Sequence, residues 1–179
     1  MFERIMQHWP LWLLATVSYP LAGIAGRLLA GPATAWTAAL LAGAIAGLVV
    51  GGAQALAMSP RRPDVRWALA MAVGSGIGLA VSVGLGLAPL ATGLLTGALI
   101  GIAQAAVASR AALDARRSVL AWPVVVALAW GLGWTVTTAI GVDLAAGWAV
   151  FGLSGALTSQ VVTLLGAFGL VRPSAAVLA

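Results

Sequence analysis

Long uninterrupted runs of apolar residues dominate this chain, with little alternation between polar and apolar positions. Glycine- and proline-containing turns or arginine-rich segments separate the runs, and several runs exceed the roughly 18 residues that a helix needs to cross a bilayer. The pattern predicts an all-α bundle of six transmembrane helices in a single transmembrane domain, residues 1–179. The predicted helices run over about 9–29, 33–57, 67–87, 90–108, 119–140 and 145–170.

Composition supports a membrane environment. Hydrophobic residues make up 62% of the 179 positions and charged residues only 7%, and the mean hydropathy is +1.08. A water-soluble domain could not cover its surface with so little polarity. A transmembrane β-barrel would show short strands of alternating polarity, which this sequence lacks. The absence of cysteine excludes disulfides and thiolate chemistry.

The nine basic residues are all arginines, and their distribution predicts the orientation of the chain. Arginines concentrate in two connections, 59–66 and 109–118, and also occur before the first helix and after the last. Because short, positively charged loops resist translocation, this side is predicted to be cytoplasmic, with both termini on it. The basic excess is therefore interpreted as topology in a bacterial inner membrane, and no nucleic-acid partner is expected.

A Gly-x-x-x-Gly-x-x-x-Gly-x-x-Gln motif occurs twice, ending at Gln54 and at Gln104. Steps of four keep small residues on one helix face, where backbones in lipid can approach closely. An arginine-rich segment and then a tryptophan, Trp67 or Trp122, follow each motif. The sequence thus predicts two repeated helical hairpins, at 43–86 and 93–141, packed through glycine faces.

A third, degraded copy is divided between the two ends of the chain. The sixth helix carries Gly152, Gly155, Ser159 and Gln160, and the first helix begins with Trp9-Pro10, much as the fifth begins with Trp122-Pro123. The sixth and first helices are therefore predicted to form a third pair in a pseudo-symmetric bundle.

The repeated hairpins resemble those of a group of uncharacterised bacterial multi-span membrane proteins, in which Gly-x-x-x-Gly-x-x-Gln accompanies a tryptophan and an arginine-rich turn. Gly47, Gly51 and Gln54, and again Gly97, Gly101 and Gln104, carry the resemblance. It implies a multi-span bundle and no established activity.

Ionisable groups are confined to the predicted ends of the helices. The carboxylates are Glu3, Asp64, Asp114 and Asp143, and the chain has one histidine. No nucleophile, acid pair or ligand set for catalysis or for a metal can be assembled from them. We therefore expect no enzyme activity, no metal site and no proton-coupled pumping.

Buried polar and aromatic side chains are the remaining candidates for a site. For Gln54, Gln104 and Gln160 we favour interhelical hydrogen bonds over a polar or pigment-binding site, since an unbonded amide in lipid is costly. For Trp130 and Trp134 we favour packing over contact with a carotenoid or quinone. The other six tryptophans lie near helix ends, as an interfacial aromatic belt requires.

Two cationic side chains lie near the predicted interfaces. His8 is interpreted as an interfacial residue, with axial ligation of a haem or chlorin as the alternative. Arg27 is interpreted as an interfacial anchor, with pairing to Asp143 as the alternative.

The sequence favours a non-enzymatic integral membrane protein, acting as an accessory or scaffold subunit or packing against itself. The alternative is a small-solute or lipophile transporter or substrate-capture subunit. The bilayer, other membrane subunits and a second copy are the expected partners, and the sequence leaves any cofactor open.

Overall fold

The computed structural model describes residues 2–109, 116–141 and 146–170. Those residues form helices and connecting turns, without a strand. The α-helices are α1 (Phe2–Gln7), α2 (Trp9–Leu14), α3 (Ser18–Ala30), α4 (Trp36–Met58), α5 (Val65–Gly84), α6 (Pro89–Ser109), α7 (Arg116–Ala139) and α8 (Leu153–Leu170).

Six helical stretches in the described ranges are long and apolar enough to cross a membrane, which confirms the predicted fold class. They are Trp9–Ala30, Trp36–Met58, Val65–Gly84, Pro89–Ala108, Val119–Ala139 and Leu153–Leu170. The sequence did not predict α1, which precedes the first span and buries Phe2 and Ile5 against the bundle.

The first span contains a local tightening of the helix. A 3₁₀ turn at Ala15–Val17 joins α2 to α3, and the hydroxyl of Ser18 donates to the carbonyl of Ala15 at 2.6 Å. Pro20 has no N–H to donate to the carbonyl four residues earlier, so an α-helix would lose a bond here in any case. The turn therefore lies where departure from α-helical geometry costs least.

The last span begins at Leu153, later than the predicted start at residue 145. Before it, Gly147 has φ +75°, and its carbonyl accepts a bond from the backbone N–H of Ala33 at 2.9 Å. The non-helical chain that follows buries Val150 and Phe151 in the core. A buried aromatic ring thus replaces the predicted first turns of the helix, while residues 142–145 lie outside the described residues.

The spans pack in chain order, and the last span meets the first. Helix α4 packs on α5, α6 on α7, and the two hairpins meet through α5 and α6. Helix α3 packs on α4, and α8 packs on α7 and on the first span. The six spans therefore close into a ring around a buried interior.

The glycines of the two repeated motifs lie where neighbouring backbones come closest. A Cβ on Gly47 would stand 2.6 Å from the carbonyl oxygen of Met71, and one on Gly97 would stand 2.5 Å from that of Val126. Both distances are below the van der Waals contact distance of carbon and oxygen, so a side chain at either position would force the two backbones apart. Met71 and Val126 are separated by the same fifty-five residues as Trp67 and Trp122, so the two motifs meet matching positions on α5 and α7.

Glycines also bring the two hairpins together. A Cβ on Gly74 would stand 2.5 Å from the Cα of Ile100, and one on Gly78 would stand 2.6 Å from the Cα of Thr96. On the other side of α5, Gly76 faces α4, where a Cβ would stand 2.9 Å from the carbonyl oxygen of Leu40. Helix α5 is therefore packed backbone to backbone on two sides.

We predict that Gly97→Leu destabilises the bundle by about 3 kcal/mol or more, because the new side chain must separate two backbones already in contact. Gly52→Leu is the control, since nothing lies within 4 Å of a Cβ at that position. This change should alter the free energy of unfolding by no more than about 1 kcal/mol, and it should stabilise the helix because leucine has a higher helix propensity than glycine. Unfolding in detergent measures both, and equal tolerance of the two changes would contradict the assignment of the glycine faces.

Candidate functional site

Three glutamines from three different spans meet inside the bundle. Gln54 lies on α4, Gln104 on α6 and Gln160 on α8, and their exposed fractions are 4%, 2% and 0%. With the indoles that bond to them, Trp12, Trp67 and Trp122, they are called the glutamine cluster below.

Gln54 is the most extensively bonded amide of the cluster. Its Nε2 donates to Oε1 of Gln160 at 3.0 Å and, more weakly, to the hydroxyl of Tyr19 at 3.5 Å. Its Oε1 accepts from the indole N–H of Trp67 at 3.1 Å. One side chain therefore joins the first, second, third and sixth spans.

Gln104 forms the corresponding bond in the second hairpin. Its Oε1 accepts from the indole N–H of Trp122 at 2.9 Å, and its Nε2 points to the sulfur of Met71 at 3.6 Å. Because a thioether is a weak acceptor, this amide is less completely satisfied than that of Gln54. The prediction that Gln54 and Gln104 bond to neighbouring helices is confirmed.

Gln160 joins the two ends of the chain. Its Nε2 donates to the backbone carbonyl of Trp12 at 2.8 Å, and the indole of Trp12 donates to the hydroxyl of Thr163 at 3.2 Å. The same indole N–H lies 3.3 Å from the carbonyl of Gln160. The glutamine–tryptophan association thus recurs in α8 and the first span, with a different bonding pattern.

The predicted interfacial belt is wrong for three tryptophans. Trp12, Trp67 and Trp122 are only 1%, 2% and 1% exposed, because each indole turns inward to bond to the polar interior. Trp9 is 49% exposed, so the buried indole of the first span is not the tryptophan beside Pro10. The sequence places Trp67 and Trp122 after the two glutamine motifs but does not show which way the indoles point, because that depends on the orientation of each helix.

Tyr19 is a member of the polar interior that the sequence analysis missed. It is fully buried, and its hydroxyl bonds to the side chains of Ser159 and Gln54. It is the only tyrosine in the chain, placed in the middle of the first apolar run. That position was the available signal, because a phenol in hydrocarbon needs a bonding partner.

The space left inside the glutamine cluster is very small. A void of about 10 Å³ is lined by side chains that include Tyr19, Gln54, Gln104 and Ser159. A single water needs about 10–15 Å³ by the same measure, together with two to four polar partners. The void is therefore water-sized, and it is far smaller than a carotenoid or a quinone.

Trp130 and Trp134 belong to a second interior group, formed by aromatic rings. Trp130 packs against Phe151 with ring centres 5.0 Å apart, and Trp134 packs edge-on against the same ring at 5.6 Å. Tyr19 stacks on Phe151 at 5.2 Å. The indole N–H of Trp134 has no bonding partner among the described residues. Phe151 was not predicted as part of this group, because its segment was interpreted as helix.

His8 and Arg27 lie away from the glutamine cluster. His8 is half-buried between α1 and α2, where its carbonyl accepts the backbone N–H of Trp12. Arg27 is exposed, donates to the carbonyl of Ala146 and lies 5.0 Å from the ring centre of Trp148. The alternative partner of Arg27, Asp143, lies outside the described residues. Within residues 2–109, 116–141 and 146–170, no three histidine or carboxylate side chains lie together as a metal site requires.

A larger cavity, called the end pocket below, lies where α1 meets the connection between α4 and α5. Its volume is about 510 Å³, within the range of about 300–1,000 Å³ typical of small-molecule sites. Its polar lining includes Glu3, Arg4, Asp64 and Arg66. Trp67 lines the end pocket and donates to Gln54, so one side chain touches both the pocket and the glutamine cluster.

The charges of the end pocket include one tight ion pair. Arg66 Nε and Nη2 donate to the two carboxylate oxygens of Asp64 at 2.9 and 2.8 Å. The side-chain bond from Arg66 is the main cause that lowers the pKa of Asp64, and the charge of Arg4 adds to it. Asp64 is therefore ionised at neutral pH, and Arg4 is close enough to interact with it.

Comparison with protein-family models, curated proteins and solved structures finds no match to this chain.

We predict a measurable coupling between Gln54 and Trp67. Gln54→Leu should cost about 1–2 kcal/mol, because it leaves the indole N–H of Trp67 unbonded in the interior. The double variant with Trp67→Phe should cost less than the sum of the single changes, by about 0.6 kcal/mol or more. The free energies of unfolding in detergent of the wild type, the two single variants and the double variant give the coupling energy. A cycle between Gln54 and Trp122 is the control, and equal coupling in both cycles would contradict the assigned bond.

Proposed function

We propose that this chain is a non-enzymatic multi-pass protein of the bacterial inner membrane that acts as a rigid accessory or scaffold subunit. The observation that carries the proposal is the filled interior. Amides, indoles and aromatic rings are buried between the spans, and the void that Tyr19, Gln54 and Gln104 help to line is only about 10 Å³. A bundle packed in this way offers its outer surface for function, and the resemblance to bacterial multi-span proteins supports its placement in that membrane.

The repeated motifs support the same role. We propose that α4–α5 and α6–α7 are internal repeats joined by glycine zippers, with α8 and the first span as the third pair. Close backbone approach at Gly47 and Gly97 gives each hairpin many dispersion contacts. Such a unit holds its shape without a ligand, as a scaffold requires.

The outer surface is least covered at the two ends of the chain. In an 18-residue apolar window of the first and of the last span, 39% and 33% of the residues are buried, against 61% in the corresponding window of α5. Exposed apolar side chains there include Leu28, at 80%, and Leu165, at 64%. We propose this side as the one on which another membrane subunit, or a second copy, packs.

Introduced cysteines test this role, because the chain has none of its own. Leu165→Cys is expected to cross-link to a protein partner in the native membrane. Leu69→Cys is the control, since Leu69 is also exposed, at 52%, but lies on the well-covered α5. Cross-linking of equal strength at both positions, or none at Leu165→Cys in intact membranes, would contradict the proposal.

We further propose that both termini are cytoplasmic. A topology reporter fused after Asp64 or Asp114 should report the cytoplasm, because arginine-rich short loops are retained there. A reporter fused after Pro89 should report the opposite side. Reversed signals at these three positions would overturn the orientation.

A second candidate function is transport or capture of a small solute or lipophile, and the end pocket favours it. The pocket combines charged and apolar walls and reaches Trp67, whose indole bonds to the buried Gln54. Saturable counterflow of a solute into vesicles that contain the purified chain would favour this function over the scaffold.

A further inference from the structure

We propose that the end pocket binds a phosphoethanolamine headgroup, with its phosphate held by Arg4 and Arg66 and its ammonium by Glu3. The inference rests on the pocket that favours the second candidate function, but it requires binding only and not transport.

Arginine supplies the phosphate contacts. The guanidinium of Arg66 has five N–H donors, and two N–H···O bonds hold it to Asp64, which leaves donors free in a fixed orientation. Arg4 lines the same pocket and is near enough to lower the pKa of Asp64, after the larger effect of Arg66. Two guanidinium groups therefore line one cavity, a combination suited to phosphate oxygens.

Glu3 supplies a negative charge, which would contact the ammonium of the headgroup and not its phosphate. Its carboxylate lines the same pocket, and no ion pair to it occurs among the described residues. An unpaired carboxylate in the pocket lining disfavours a second negative charge on the ligand, and it favours a primary ammonium that can donate hydrogen bonds. Phosphate and ammonium a few bonds apart are the two charges of phosphoethanolamine.

The remaining wall suits the apolar part of a phospholipid. It includes Phe2, Met58, Val107 and Val119, which lie at the ends of spans or next to them. These side chains offer apolar contacts to the glycerol and the first methylenes of a phospholipid. Apolar contacts next to the headgroup charges favour a lipid over a free headgroup as the source of the phosphoethanolamine.

Native mass spectrometry of the full chain with equal amounts of phosphatidylethanolamine, phosphatidylcholine and phosphatidylglycerol tests the proposal. The wild type should retain phosphatidylethanolamine at least about fivefold over the other two, which corresponds to about 1 kcal/mol for one charge contact. Glu3→Gln should abolish the preference over phosphatidylglycerol, and Glu3→Asp should keep most of it. Arg4→Gln should weaken binding of all three lipids.

Arg62→Gln is the matched control for Arg4→Gln. It also removes a guanidinium, but Arg62 lies in the connection between α4 and α5, outside the pocket lining. It should leave the preference unchanged, and unfolding curves verify that each variant is folded. Equal binding of the three lipids by the wild type, or an equal effect of Arg62→Gln and Glu3→Gln, would overturn the proposal.

Glycerophosphoethanolamine distinguishes the two sources of the headgroup. Displacement of the lipid at millimolar concentration would support a headgroup site that accepts a soluble zwitterion, and retention of the lipid would support a site for the whole phospholipid. Counterflow of the labelled compound is measured separately. Its absence would count against transport while lipid selectivity still supported the site.

Discussion

An amide inside a membrane bundle has no water to bond to, so the protein must supply every partner. The rest of this structure depends on that constraint. Three glutamines on three spans meet it: Gln54 bonds to Gln160 and to the indole of Trp67, Gln160 bonds to backbone, and Gln104 bonds to the indole of Trp122. Together with the glycine faces, these bonds specify the rotation of the helices about their axes. The same pairing explains why three tryptophans face inward.

The small residues make this arrangement possible. Glycines at steps of four let the paired helices of each hairpin approach until their backbones touch, and further glycines do the same between the hairpins. The short separations bring side chains of modest length within bonding distance of one another. Large aromatic rings, chiefly those of Trp130, Trp134 and Phe151, then fill the space that the glycines leave.

Much of the fold follows from local properties of the sequence. The apolar runs predict the six spans, and the Gly-x-x-x-Gly spacing predicts the faces at which Gly47 and Gly97 meet α5 and α7. The amide bonds of Gln54 follow from the cost of an unbonded group in lipid.

Other features depend on the whole bundle. Whether Trp67 turns to the membrane surface or to the interior depends on a glutamine from a neighbouring helix, and the burial of Phe151 depends on where the last span begins. The end pocket is lined by residues of α1, α4, α5, α6 and α7 and of the connection between α4 and α5. No spacing in the sequence relates these residues to one another.

Indoles of the glutamine cluster are buried in the bundle and bonded there. Hydrogen exchange of the indole N–H groups, followed by NMR in detergent micelles with each tryptophan assigned by substitution, tests it most directly. We expect slow exchange for Trp12, Trp67 and Trp122 and fast exchange for Trp9 and Trp36, which are 49% and 60% exposed. Exchange at Trp67 and Trp122 as fast as at Trp9 and Trp36 would contradict it.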